Sequence, residues 1–156
     1  MKWDVGITLK IYLSGAIRGG RQLQKTYQII LDFLQKNNHE VLTHHVASQD
    51  VLEIENSLSE VDIFTKDENW LNECDCVIAE VSVPSLGVGY EIAYALCIKK
   101  PVMAIFGKKF EPISAMIAGN TSPLLVVEKY SSHSQLISFL APFLDKIQSS
   151  TRIALE

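Results

Sequence analysis

The chain is poor in cysteine, has no excess of positive charge and has no apolar run of bilayer length. Its three cysteines are Cys74, Cys76 and Cys97. An odd number, two of them separated by one residue, fits neither a disulfide framework nor a zinc-ligand spacing. They read as reduced thiols of an intracellular protein. No stretch approaches the ~18–20 apolar residues that span a bilayer. Asp4 and Lys10 interrupt the first thirteen residues, which therefore lack the apolar centre of a signal peptide. A net charge of −4 excludes a basic face for coating a nucleic-acid polymer or a membrane surface. A small anionic ligand stays open, because a few local donors can hold it. The cytoplasm is the expected compartment, with the nucleus also open.

What is present fits one globular domain over 1–156. A chain of 156 residues with 47% hydrophobic and 21% charged content can bury a core of its own. Short apolar runs at 9–14, 40–43, 76–81, 101–106 and 124–127 read as strands. Between and after them, helical spacing is predicted at 21–36, 63–73, 88–99, 112–118 and 131–147, with a loop and short helix over 49–60. Asn37 and Asn38 read as a helix stop, Ser131 or Ser132 as the cap of the last helix, and 150–156 as a loose tail. Alternating strands and helices give an α/β fold: a doubly wound, five-stranded parallel sheet of Rossmann or flavodoxin type, ordered 2-1-3-4-5. Ligands of such sheets bind at the carboxyl ends of the strands, where the winding reverses between strands one and three.

Two loops lie at that point. The first reads Ser14-Gly15-Ala16-Ile17-Arg18-Gly19-Gly20-Arg21. Its glycines allow close backbone approach, the helix predicted from Arg21 turns its amino end towards the loop, and two arginines add charge. That describes an anion cradle and an ordinary tight turn equally well. It is not a Walker loop, because no Gly-Lys-Ser/Thr follows. The second reads Pro84-Ser85-Leu86-Gly87-Val88-Gly89-Tyr90-Glu91. Ser85 offers a hydroxyl and the glycines expose amides. Glu91 is expected in the first helical turn, where the dipole favours an ionised carboxylate. That carboxylate suits a nucleophile, or it merely complements the dipole.

Taken together, these two segments resemble the 2′-deoxynucleoside 5′-phosphate N-hydrolase family, which is related to the nucleoside 2-deoxyribosyltransferases. Further matches are His45-Val46-Ala47, Asp67 with Trp70-Leu71, and Ser114-Ala115-Met116-Ile117, in the same order along about 9–146. The resemblance implies Glu91 as the nucleophile at the anomeric carbon, Asp67 as the acid that assists proton transfer, and Tyr12 as the residue that places the catalytic carboxylate. Ile17, Arg18, Gly19, Ser85, Gly87 and Ser114 correspond to positions around the 5′-phosphate, with Ser114 supplied by the other subunit of a homodimer. His45 and Met116 correspond to positions towards the base. No cofactor and no metal are implied. Two departures stand out: members often carry Cys where this chain has Ser14, and Ser where it has Ala16.

Deoxyribosyltransferases place an acidic residue where this chain has Ser85, to hold a neutral 5′-hydroxyl. A phosphate beside a carboxylate would be repelled, whereas a hydroxyl and helix-terminal amides donate to it. The expected activity is therefore hydrolysis of a nucleoside 5′-monophosphate to free base and sugar phosphate. Transfer of deoxyribose between bases, hydrolysis of a ribonucleotide such as CMP, and a non-catalytic nucleotide-binding module are the competing readings.

Overall fold

The computed structural model describes residues 6–155; Asp4, which bears on the signal-peptide reading, lies outside the described residues, as does Glu156. Five strands form one sheet in the order β2-β1-β3-β4-β5, every neighbouring pair parallel. They are β1 (Lys10–Ser14), β2 (Glu40–Val41), β3 (Cys76–Glu80), β4 (Val102–Gly107) and β5 (Leu125–Tyr130). The helices are α1 (Gln24–Lys36), α2 (Val51–Asn56), α3 (Glu60–Glu73), α4 (Leu86–Cys97), α5 (Ala115–Ala118) and α6 (His133–Leu155).

The sheet carries a hydrophobic core on each face. Ile11, Leu13, Cys76, Ile78, Met103 and Ile105 pack with Tyr27, Ile30 and Leu34 of α1 and with Leu136, Leu140 and Leu144 of α6. The alternate residues Tyr12, Val77, Ala79, Val102 and Ala104 pack with Leu71 of α3 and with Val88, Ile92 and Ala95 of α4. A strand sends successive side chains to opposite faces, so one apolar run serves both cores only when it is apolar throughout. β4 meets that demand, and β3 meets it up to Glu80, a buried carboxylate held by the Ser82 and Tyr130 hydroxyls.

Capping explains where several boundaries depart from the sequence expectation. α3 starts at Glu60 rather than 63 because Ser59 accepts from the Asp62 amide while the Asp62 carboxylate accepts from the Ser59 amide. α4 starts at Leu86 rather than 88 because Ser85 Oγ accepts from the Val88 amide. α1 starts three residues late, at Gln24, and stops where Asn38 takes a left-handed φ of 61°. Ser132 caps α6, its hydroxyl accepting from the Gln135 amide. β5 runs on to Tyr130 because β4 continues beside it to Gly107.

The loose tail is corrected: α6 continues through Leu155. Ser149, Ser150 and Thr151, a run that disfavours helix, return their hydroxyl hydrogens to the carbonyls of Asp145, Lys146 and Ile147. Gln148 also donates to the Ile7 carbonyl and ties the segment to the amino-terminal end of β1.

Candidate active site

The parity of β1 decides what the site contains. Since Ile11 and Leu13 face α1 and α6, Tyr12 and Ser14 emerge on the side of α3 and α4. There Tyr12 Oη donates to Glu91 Oε1 at 2.9 Å, and Ser14 Oγ donates to Glu91 Oε2. Each carboxylate oxygen of a residue on α4 is thus held by a hydroxyl from one strand of the sheet. Packed by protein on nearly all sides, Glu91 still keeps part of its surface open.

The dipole expectation for Glu91 is corrected. With α4 beginning at Leu86, Glu91 falls in the second turn and no acidic residue occupies the first. Burial dominates instead and pushes its carboxyl up to about 7; the Ser14 and Tyr12 hydroxyls pull it down, while the charges of Asp67 and Glu55 push it further up. Asp67, on α3, is raised to about 6, chiefly by burial, with Lys66 opposing and Glu55 adding to the rise. Its Oδ1 is buried without a hydrogen-bond partner. Burial first, then the charges of Glu91 and Asp67, hold the Tyr12 phenol far above its ordinary range, so Tyr12 stays a donor.

The two loops of the sequence reading meet. A Cβ on Gly19 would lie 2.9 Å from the Pro84 carbonyl oxygen, so only glycine permits this approach. Ile17 is half-buried and Arg18 is exposed, with its Nε 3.5 Å from Glu55 Oε2. Arg21, by contrast, is tied to the backbone. Its guanidinium donates to the carbonyls of Val46, Ser48 and Ala16 and fastens this loop to the 3-10 turn His44–Ala47. His45 in that turn lies against Trp70, ring centroids 5.5 Å apart. Burial, helped by Lys66 and His44, lowers its pKa to about 4, so the imidazole is neutral at physiological pH.

Ser85 follows Pro84 at this junction, and Ser114 and Met116 join it on a neighbouring cavity. This cavity of about 900 Å³ is also lined by Leu86, Phe110 and Ile113, and neither Glu91 nor Asp67 reaches it. Ser85 and Ser114 cap α4 and α5, each hydroxyl oxygen accepting a backbone N–H. Gly87 is exposed. Within one chain, then, Tyr12, Asp67 and Glu91 converge, while Ser114 and Met116 stay on the far side of the amino end of α4.

The profile of the nucleoside 2-deoxyribosyltransferase family matches residues 11–125. The chain belongs to this family. Among its relatives, a protein of Methanococcoides burtonii with the provisional name 2′-deoxynucleoside 5′-phosphate N-hydrolase 1 is 47% identical over 113 residues, 72% of this chain and 92% of that protein. The 5-hydroxymethyl-dUMP N-hydrolase of Rattus norvegicus is 40% identical over 112 residues, 70% of this chain and 68% of that one. In fold the chain is similar to the CMP N-glycosidase of Clostridium botulinum, with a TM-score of 0.65, 23% identity, and coverage of 86% of this chain and 98% of the other. Five parallel strands in the order 2-1-3-4-5 agree with that likeness.

Two residues of this family member escaped the sequence reading. Ser14 lay inside a quoted segment, yet its bond to Glu91 crosses 77 positions and leaves no local trace. Glu55 sits in a weakly patterned polar stretch, where nothing distinguishes a buried carboxylate from a solvated one. Its burial was the missing signal.

Proposed function

We propose that this protein hydrolyses the N-glycosidic bond of a 2′-deoxynucleoside 5′-monophosphate, releasing free base and 2-deoxyribose 5-phosphate. The observation that carries the reading is the Glu91 carboxylate, pinned through both oxygens by Tyr12 and Ser14 beside an acid with an unpartnered oxygen. One Glu91 oxygen attacks the anomeric carbon as the bond to the base breaks and its electron pair leaves with the base. Asp67, raised towards neutrality, supplies the proton that the departing nitrogen or oxygen takes up. Water then attacks the same carbon, Asp67 accepts its proton, and Glu91 is released. Nothing is oxidised or reduced.

The 5′-phosphate is assigned to Ile17, Arg18 and Gly19 with Ser85 and Gly87. These groups offer N–H and O–H donors, and Ser85 stands where transferases of the family hold an acid. His45, neutral and packed at a tilt against Trp70, is assigned to the base. We also propose a homodimer in which the partner subunit's Ser114 and the partner's Met116 complete the pocket. Exposed Leu86 (97%) and Met116 (81%), with Val61, Phe64 and Tyr90, form apolar surface that a second copy would cover. The cytoplasm suits three free thiols, one of them exposed.

The test is a panel of dGMP, dUMP, CMP and free nucleosides, with and without a second base, scored for base release by chromatography. Base is expected from the deoxynucleoside monophosphates and not from nucleosides. A new nucleoside would show transfer, release from CMP alone a ribonucleotide enzyme, and tight binding without turnover a nucleotide-binding module.

A further inference from the structure

One acidic side chain faces the site without a place in the reaction described above. Glu55 on α2 is buried, its side chain 8% accessible, and its ion-pair contact is Arg18 Nε at 3.5 Å, from a side chain 57% accessible. A buried carboxylate is unfavourable unless an opposite charge compensates it. Among the described residues, Arg21, Asp67 and Glu91 also feel the charge of Glu55. Arg21 is committed to three backbone carbonyls, and Asp67 and Glu91 carry the wrong sign. Arg21 thus compensates Glu55 only at a distance, and Arg18 is the cation in contact with it. The contact uses the Nε edge of the guanidinium, which leaves both terminal nitrogens for a second acceptor. Arg18 adjoins Gly19, whose backbone touches Pro84 and so abuts Ser85.

We propose that Glu55 is a positioning residue: from its buried seat on α2 it holds Arg18 by Nε, so that the terminal N–H groups of Arg18 meet the 5′-phosphate where the two loops join. The inference rests on the reading that the 5′-phosphate binds this loop. An arginine side chain loses much rotamer freedom when it grips a ligand, and a second-row carboxylate removes part of that loss in advance. Because the phosphate is remote from the breaking bond, the effect belongs to binding common to ground and transition states.

The experiment is steady-state kinetics on the full chain with one deoxynucleoside monophosphate and its nucleoside. Glu55→Ala is expected to raise KM for the monophosphate about tenfold with kcat within about threefold. Glu55→Gln, which keeps an acceptor oxygen within reach of Nε, is expected to bring KM back to within about threefold of wild type. Arg18→Ala raises KM at least as far, and adding Glu55→Ala changes it no further. An unchanged KM in Glu55→Ala, no recovery in Glu55→Gln, or losses that multiply in the double variant overturn the inference while leaving the phosphate reading intact. Wild-type protein that turns over nucleoside as readily as monophosphate overturns the phosphate reading itself, and this inference with it.

Discussion

The two ends of the amino-terminal part of α4 are built differently. At one end Glu91 is held by hydroxyls of β1, a central strand, within an apolar layer that one chain completes alone. At the other end Ser85, Ser114 and Met116 border an open cavity, beside the nearly bare side chain of Leu86. The first region resembles a finished catalytic arrangement, rigid because sheet and helix packing determine it. The second resembles half of a binding site, adjustable because exposed caps and a single-turn helix supply it. On the proposed reading, chemistry is anchored in the fold and recognition is left to its surface.

The largest effect expected from breaking the first region is Glu91→Ala, which should lower kcat on the order of 10⁴-fold while nucleotide binding survives. Turnover at the wild-type rate would remove Glu91 as the nucleophile. The matching change in the second region is Ser85→Asp. Aspartate caps a helix as well as serine does, so α4 keeps its start while a carboxylate meets the phosphate. The kcat/KM for monophosphates should fall on the order of 100-fold relative to nucleosides. Unchanged discrimination would place the phosphate elsewhere.

Subunit mixing sharpens the comparison further. If the partner subunit's Ser114 completes each site, combining Glu91→Ala protein with Ser114→Ala protein builds one intact site per heterodimer. Roughly a quarter of wild-type activity should return in an equal mixture that exchanges subunits freely. Activity equal to the sum of the separate variants would place Ser114 in its own chain's site.

How much of this was legible in the sequence follows the same division. Apolar runs announced the strands, and from their order followed the sheet and the position of both loops. Glu91 stood out from its place in the second loop, Tyr12 and Asp67 came from resemblance, and the structure supplies the parity argument that brings Tyr12 to Glu91. Boundaries set by caps were less visible: Ser59 uses Asp62 where a longer acid is usual, and Ser85 starts α4 early enough to carry Glu91 out of the first turn. A dipole argument therefore pointed to a low pKa, whereas burial, which only packing reveals, sets a high one. Ser14 and Glu55 act across long separations in sequence, and Arg21 looked like a ligand because its acceptors are backbone carbonyls that any sequence possesses.

A smaller effect is expected from Tyr12→Phe. The Tyr12 hydroxyl donates to the charged form of Glu91 and so lowers its pKa. Without it the carboxyl rises further above about 7, and less of it is ionised at neutral pH. The acid limb of the kcat/KM profile should move to higher pH, and the rate at pH 7 should fall about tenfold. A limb that stays in place would mean that Glu91 does not govern it.

The smallest effect concerns stability alone. Folding raises the Glu91 carboxyl from an ordinary value near 4.5 to about 7. Between these values the folded protein binds more protons than the unfolded chain, so the group favours folding at low pH and that contribution is lost as pH rises through about 7. Glu91→Gln stays neutral throughout, and both hydroxyl neighbours can rotate to suit the amide. The variant should therefore be more stable than wild type at pH 8, by on the order of 1–3 kcal/mol. The gap should close towards pH 4.5, which denaturant titration at several pH values measures. A gap independent of pH would assign the strain to shape rather than charge, and the ionised carboxylate of the catalytic region would then carry no cost to the fold that activity must offset.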